Sequence, residues 1–371
     1  MGNCSTSPLV QPTLNVIESN EDGNHQDTPI TVNIINQMNI HTDAYLERAK
    51  LEFETKYAQS FSETAKIEDF QLQRTIGTGS FARVMLVKHD NHLLALKIMK
   101  KQSIVEMNVV KHILCEKRIL QAINCPFIVH LIYAFKDNAH IYLALEYVSG
   151  GEMFANLRKV VKYSEDQAQF YAAQIVLALE YLHYLNIIFR NIKPEDILFA
   201  ADGYLKLTDF GFAKVTEDQT FTLCGTPEYM APEIIVGRGH NKSVDYWALG
   251  ILIYEMTTGS TPFAADDPIE NYKKTLIGKF EIPDHFSFDL TDLVSKLLEV
   301  HPTKRYGCLK DGTKDIKNHN WFTSIDWIAI REKRLQAPFI PQPGVEYYKN
   351  YKEISSTSSE TVMYSTEFDI F

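Results

Sequence analysis

The chain has 371 residues, enough for two or three domains of about 150 residues or for one two-lobed body with tails. Its 45% hydrophobic and 23% charged residues exclude collagen-like, coiled-coil and wholly disordered chains, and no apolar run approaches the roughly 18 residues of a membrane span. The 37 Lys+Arg against 47 Asp+Glu leave a net charge of −10, which argues against nucleic acid as a partner and leaves basic partners open.

Residues 3–43 contain no aromatic residue, Lys or Arg, and five acids (Glu18, Glu21, Asp22, Asp27, Asp43) carry half of the net charge there. Such a segment buries too little apolar surface to order itself, so residues 1–41 are expected to be a disordered tail. From Asp43, a candidate N-cap, Leu46, Ala49, Phe53 and Tyr57 recur at helical spacing. A helix and linker are therefore expected over 42–69. Between 70 and 150, β-type runs dominate (Val84–Val87, Leu93–Met99, Ile141–Tyr147), with one helical stretch near Val109–Ala122. From Glu152 onward, long helical patterns such as Asp166–Leu185 and Val244–Thr257 take over. The expected fold is α+β and bilobal, a small β-rich lobe before a larger helical one. After Trp327 the chain turns Pro-rich, then Ser/Thr-rich, and closes with Phe368 and Phe371. Five cysteines (Cys4, Cys115, Cys125, Cys224, Cys308), with no CxxC pair, read as reduced thiols.

The chemistry-bearing motifs begin with Gly77-Thr78-Gly79-Ser80-Phe81-Ala82-Arg83-Val84 between two β-type runs. Glycines let backbone amides approach phosphate oxygens. Alone, such a pair is more often a hairpin, and the third glycine of the pattern is replaced by Ala82. Ala95-Leu96-Lys97 follows in a buried-type strand, and an interior lysine there needs a carboxylate such as Glu116 to stay charged. Asp209-Phe210-Gly211 and Ala231-Pro232-Glu233 come next. In this order and spacing the set resembles the eukaryotic protein kinases. Segments such as Gly150-Gly151-Glu152-Met153-Phe154 and Leu223–Tyr229 are similar, within the AGC group, to catalytic subunits of cAMP-dependent protein kinases, over roughly 42–345.

The resemblance implies ATP and Mg²⁺ as cofactors and Ser/Thr specificity. It implies a kinase domain over 70–324 (small lobe 70–148, large lobe 149–324) and a C-terminal tail over 325–371. Carried over residue by residue, Lys97 would hold phosphates and pair with Glu116, Asp209 would bind Mg²⁺, and Lys193 would meet the γ-phosphate. Leu145 is the gatekeeper position, Glu146, Tyr147 and Val148 the adenine hinge beside Ala95, and Tyr348 closes over adenine. Glu152, Glu195 and Glu255 would pair with substrate arginines, for which carboxylates are suited by bidentate geometry. Thr222 is the expected activation phosphosite, with Arg190, Lys214 and His112 as its cations. Asp245 would brace the catalytic loop and Glu233 would pair with Arg305. Phe368 and Phe371 would dock beside the helix of Glu116. A cAMP-binding regulatory subunit is an implied partner, weakened because Phe221 stands where a tryptophan is expected. Ser260 replaces a tyrosine beside the peptide, and Gln219 replaces a basic residue.

The departure that matters lies in Phe189-Arg190-Asn191-Ile192-Lys193-Pro194-Glu195-Asp196. Asn191 stands at the position of the catalytic aspartate and Asp196 at that of the metal-binding asparagine. A neutral amide accepts a hydrogen bond but does not take the proton, a loss of about 10²- to 10⁴-fold in general-base catalysis. Phosphoryl transfer depends mainly on positioning and charge neutralisation, so a residual rate survives on physical grounds. The leading expectation is an active, slowed kinase. An ATP-binding pseudokinase acting as scaffold or decoy is the alternative, and a membrane-tethered interaction protein without nucleotide a third. Met1-Gly2-Asn3-Cys4-Ser5-Thr6 satisfies the N-myristoylation pattern at Gly2. One acyl chain binds membranes marginally, so a cytoplasmic protein with peripheral membrane contact and nuclear access is expected.

Overall fold

The computed structural model describes residues 29–59, 65–79, 82–349, 351, 364–369 and 371, with side chains described from residue 42. Gly2, Cys4, Ser80 and Phe81 lie outside the described residues. The chain divides into two compact units, residues 1–43 and 44–371. Helix α1 runs over Pro29–Ala58, which corrects the start expected at Asp43. Proline suits a first helical turn, where its missing N–H costs nothing, and no Gly or Pro follows before Ala58 to stop the helix. In the second unit Leu46, Ala49 and Phe53 are buried in the main core, and Arg118 lies 4.2 Å over the Tyr57 ring.

The small lobe is a five-stranded antiparallel sheet of β1 (Gln71–Thr78), β2 (Ala82–His89), β3 (His92–Lys100), β4 (Leu131–Lys136) and β5 (His140–Glu146), in the order β1-β2-β3-β5-β4. Alternation sorts its side chains onto two faces. Leu94, Leu96, Tyr142 and Ala144 pack with Phe70 and Phe135 on one. Met99, Ile141 and Leu143 pack on the other with Ile104 of α2 (Lys101–Glu106) and Ile113 of α3 (Val110–Ala122). Covered on both faces, β5 reads as a continuous apolar run.

The large lobe holds α4 (Met153–Val160), α5 (Glu165–Tyr184), β6 (Ile187–Ile188), β7 (Ile197–Phe199), β8 (Leu205–Leu207), β9 (Lys214–Val215), α6 (Pro232–Ile235), α7 (Ser243–Thr258), α8 (Pro268–Ile277), α9 (Phe288–Leu297), α10 (Thr313–Lys317) and α11 (Trp327–Arg331). α5 is buried from Phe170 to His183 and α7 from Ser243 to Thr257, so each is covered on all sides over most of its length. Ser164 caps α5 by accepting from Gln167 N at 3.3 Å, and the Gln167 side chain answers on Ser164 N. The expected ion pair is fully buried: Arg305 donates from Nη1 and Nη2 to both Glu233 oxygens at 2.7 and 3.0 Å.

Beyond α11 the chain returns across the lobe junction. Gly151, at φ +75°, has its Cβ space taken by Tyr347, 2.7 Å away, so no other residue fits beneath the tail there. Phe368 is wholly buried with Met99, Ile104 and Ile113.

Candidate active site

Strands β1 and β2 pair Gly77 with Val84 and Thr78 with Arg83. Neither Gly77 nor Gly79 lies in the left-handed region, and an added Cβ would meet only ordinary contacts, 3.6 Å from Val84 and 3.7 Å from Ala82 O. Among the described residues nothing demands glycine at either position. The free space above the hairpin is what a ligand's approach requires. The Gly79 amide donates to Ala82 O at 2.7 Å and is thus engaged in the hairpin.

Below the hairpin, β3 and α3 bring Lys97 Nζ to 2.7 Å from Glu116 Oε1, and it reaches Asp209 Oδ1 at 3.2 Å. Burial works against the Lys97 charge, but the Glu116 and Asp209 carboxylates outweigh it and hold its pKa above the ordinary lysine value. Lys97 in turn pulls Asp209 below the carboxylate range against the effect of burial. Burial pushes Glu116 up, Lys97 opposes, and Glu116 Oε2 has no hydrogen-bond partner. Asp209 takes a left-handed backbone at φ 59°, a conformation that aspartate tolerates better than most residues.

The catalytic-loop segment follows β6. Asp245, wholly buried on α7, accepts from Phe189 N at 2.9 Å and Arg190 N at 2.7 Å and lies 2.7 Å from His183 Nε2. These bonds hold Arg190 at φ 66°. Asn191 and Asp196, the two residues of exchanged type, touch: Asn191 Nδ2 donates to Asp196 Oδ2 at 2.5 Å, and Lys193 Nζ lies 3.3 Å from the same oxygen. A carboxylate that already takes a lysine accepts, so the amide nitrogen faces it. Asn191 Oδ1 is left buried with no partner. Burial, then the like charge of Asp209, pushes the Asp196 carboxyl well above its ordinary value, with Lys193 opposing.

At the hinge Leu145 is buried and pairs with Ala95 across β3 and β5. The Glu146 side chain turns away from the cleft: Oε1 accepts from Lys206 Nζ at 2.6 Å and from His130 N at 2.9 Å. Lys206, almost fully buried on β8, was not singled out from the sequence, where it reads as one polar residue in an apolar strand. Tyr348 Oη donates to the Val148 carbonyl at 2.5 Å, which ties the tail to the hinge.

The three carboxylates expected to take arginines differ. Glu195 is exposed, and Glu152 is half-buried, its pKa raised first by burial and then by Glu195 and lowered by Lys349 and Lys193. Glu255 is buried and both its oxygens are engaged within the chain: Oε1 accepts from Arg158 at 2.9 Å and Oε2 from Tyr229 Oη. Each oxygen of Glu255 thus carries one hydrogen bond and keeps lone-pair capacity for another donor. The phosphosite reading meets a mixed geometry. Thr222 is exposed, while Lys214 donates to the buried Thr220 hydroxyl at 2.9 Å. Burial, then Arg190 and Lys214, lowers the His112 pKa, so the three cations do share one region, and Arg190 Nη1 there is buried without a partner. His240, unremarked in the sequence, adjoins them: burial, then Arg190, pushes its pKa down to about 4.

A two-lobed body with a lysine, two carboxylates and a braced loop at the junction defines a phosphoryl-transfer class of fold. Residues 70–322 match the family described as Protein kinase domain, and the chain belongs to that family. Within it, the chain is 50% identical over 279 residues to a cAMP-dependent protein kinase catalytic subunit of Dictyostelium discoideum, a match covering 75% of this chain and 43% of that protein. It is 45% identical to the cAMP-dependent protein kinase catalytic subunit PRKX of Homo sapiens, over 74% of this chain and 78% of the relative. It is 42% identical to cAMP-dependent protein kinase catalytic subunit 2 of Drosophila melanogaster, over 83% and 88%. The scaffold reading, which rested on Asn191, gains no support from these relatives, all named as kinases.

Proposed function

We propose that this protein, a serine/threonine protein kinase of the cAMP-dependent type, transfers the γ-phosphate of ATP to Ser or Thr in arginine-bearing proteins, with Asn191 orienting the acceptor hydroxyl. The observation that carries the reading of Asn191 is its buried, unpartnered Oδ1. An acceptor left without a partner costs about 1–3 kcal/mol, relieved when a hydroxyl donates to it. Because Nδ2 is held by Asp196, the amide cannot turn its oxygen away.

The residues fit Mg²⁺. Asp196 is buried and Asp209 partly exposed, and the Asp209 charge raises the cost of charging Asp196, a repulsion that a divalent cation held by the two would relieve. Among the described residues no group of three His, Cys, Asp or Glu converges to hold a metal, which suits an ion whose other ligands are phosphate oxygens and water. Asp196 and Asp209 would hold the ion, which would supply positive charge to offset that of the transferred phosphate. Lys97 adds a fixed positive charge on the nucleotide side, and Glu116 keeps it in position. Lys193, beside Asp196, would meet the γ-phosphate. Glu152 and Glu195 provide negative charge for a substrate arginine. Gly77, Thr78, Gly79, Val84, Ala95, Leu145, the Glu146 to Val148 backbone and Tyr348 frame the nucleotide.

Phosphorylation of Thr222 would bring an anion to Arg190 and Lys214 and would favour the charged form of His112, which these two cations now oppose. A cAMP-binding subunit is the proposed regulatory partner. No described helix is long and apolar enough to cross a membrane. A cytoplasmic protein with membrane contact through acylated Gly2, and with access to the nucleus, is the proposed location.

The test is transfer from labelled ATP to an arginine-rich peptide. The natural protein is expected to transfer, and Asn191→Asp/Asp196→Asn to raise kcat by about 10²-fold or more. No transfer by the natural protein with Mg·ATP binding intact, and activity only in the double variant, would overturn the proposal.

A further inference from the structure

Asp245 holds the amides of Phe189 and Arg190, and the side chain beside Asp245 is itself held. His183, buried near the end of α5, places Nε2 2.7 Å from Asp245 Oδ2 and Nδ1 3.0 Å from the Tyr246 hydroxyl. The Tyr246 hydroxyl, wholly buried on α7, lies 2.6 Å from Thr313 Oγ1. Four side chains thus form one hydrogen-bonded line from the first residue of α10 to the loop that carries Asn191.

The protons on this line have one consistent arrangement. An ionised carboxylate only accepts, and Asp245 already accepts from two backbone amides, so His183 Nε2 carries the hydrogen that it shares with Asp245. In the neutral ring Nδ1 is then an acceptor, and the Tyr246 O–H donates to it. Burial pushes the Tyr246 pKa well above its ordinary value, with the Thr313 bond opposing, so the phenol keeps a proton to donate. With that proton given to His183, the bond between Tyr246 and Thr313 is donated by the threonine hydroxyl. Every donor feeds the next acceptor in one direction, an order in which neighbouring bonds strengthen one another.

The packing around Tyr246 fixes the same geometry. Gly307, at φ +87°, runs so close beneath the ring that a Cβ there would be 2.5 Å from it. The His183 ring meets the Tyr246 ring edge-on, with 4.9 Å between centres. Lys317, one turn after Thr313, donates to both oxygens of Glu180 at 2.9 Å, which fastens α10 to the helix that carries His183.

We propose that Tyr246 and Thr313 are positioning residues for phosphoryl transfer, which keep His183 in the tautomer and orientation that hold Asp245 on the Phe189 and Arg190 amides. The role rests on the reading of Asn191 as the residue that orients the acceptor hydroxyl, because Asn191 follows Arg190 directly. Arg190 is held at φ 66°, a conformation that residues other than glycine seldom take, so the loop relaxes when its brace loosens. Without the Tyr246 proton, His183 Nδ1 is buried and unpaired, and the ring loses its single preferred orientation. Loss of the Thr313 hydroxyl acts one step further back, through the aim of the Tyr246 O–H.

The experiment reads amide hydrogen exchange of the full chain, beside transfer of phosphate from ATP to an arginine-rich peptide. Relative to a buried α7 amide such as that of Leu249, the Phe189 and Arg190 amides are expected to exchange about tenfold faster in Tyr246→Phe and about threefold faster in Thr313→Val, in keeping with the worth of one hydrogen bond. kcat is expected to fall by similar factors. Thr313→Ser, which keeps the hydroxyl, is expected to match the natural protein in both readouts. Thr313 is half-buried at the start of a short helix, so Thr313→Val carries the test should Tyr246→Phe fail to fold. Unchanged exchange or unchanged kcat in Thr313→Val, exchange in Thr313→Ser as fast as in Thr313→Val, or an equal rise at Leu249 would overturn the inference. Absence of transfer by the natural protein would overturn the reading of Asn191 instead, and the exchange ratios would still decide whether Tyr246 and Thr313 hold the loop.

Discussion

Asn191 and Asp196 show how far residue types alone carry the chemistry. Their exchange is visible in the sequence, but their direct hydrogen bond, and the buried acceptor it leaves without a partner, depend on a turn that the types do not specify. Lys97 and Glu116 were legible because a charged lysine in an apolar strand requires a carboxylate. His240 was not, since a lone histidine between Gly239 and Asn241 carries no such demand. Burial and then Arg190 oppose its charge, Glu233 and Asp245 favour it, and Lys214 opposes it more weakly. With a folded pKa of about 4 against an ordinary value near 6.5, the unfolded chain binds the extra proton between these values. Stability from this group is therefore full above about pH 6.5 and lost progressively as pH falls toward 4, by about 2–3 kcal/mol. Denaturation midpoints measured from pH 7 to 4.5 should show this slope, and His240→Gln should flatten it. An unchanged slope in the variant would refute the assignment.

At the scale of elements, periodicity located α3, α5 and α7 and strands β2, β3 and β5 to within a few residues. It did not find α2, which is a single short turn-rich helix after β3. It placed the start of α1 fourteen residues late, because the search for a capping acid outweighed the absence of any helix breaker. The loop after α4 was equally invisible, since Val161 gives no sign of its positive φ. Strain of this kind costs about 1–3 kcal/mol, against about 0.5–1 kcal/mol for the greater chain entropy of glycine. Val161→Gly is thus expected to stabilise the fold by about 1 kcal/mol, read as a raised Tm. A lowered Tm would show that the valine side chain, not the backbone, sets the loop.

For the whole molecule, the tail joins the two lobes: Tyr347 and Tyr348 at the hinge, Phe368 in the apolar cluster that includes Ile113 of the helix bearing Glu116. Phe368→Ala should cost about 3 kcal/mol or more of tail docking and, by loosening α3, weaken the Lys97–Glu116 pair and raise the Kd for ATP several-fold. Calorimetric titration with Mg·ATP reads the second effect, and an unchanged Kd beside a lowered Tm would confine Phe368 to stability. The sequence by itself determined the two-lobed order of elements, because hydrophobic period is a local constraint, and the need of Lys97 for a carboxylate such as Glu116, because a buried charge demands a partner, while Asp209 came from the resemblance of the ordered motifs. Only the tertiary structure decided that Glu255 is covered by Arg158, that Glu146 turns to Lys206, and that Asn191 is held by Asp196. Arg158 with Glu255 and Glu146 with Lys206 join positions distant in the chain, and all three contacts arise from the packing of elements against one another, which no local pattern encodes.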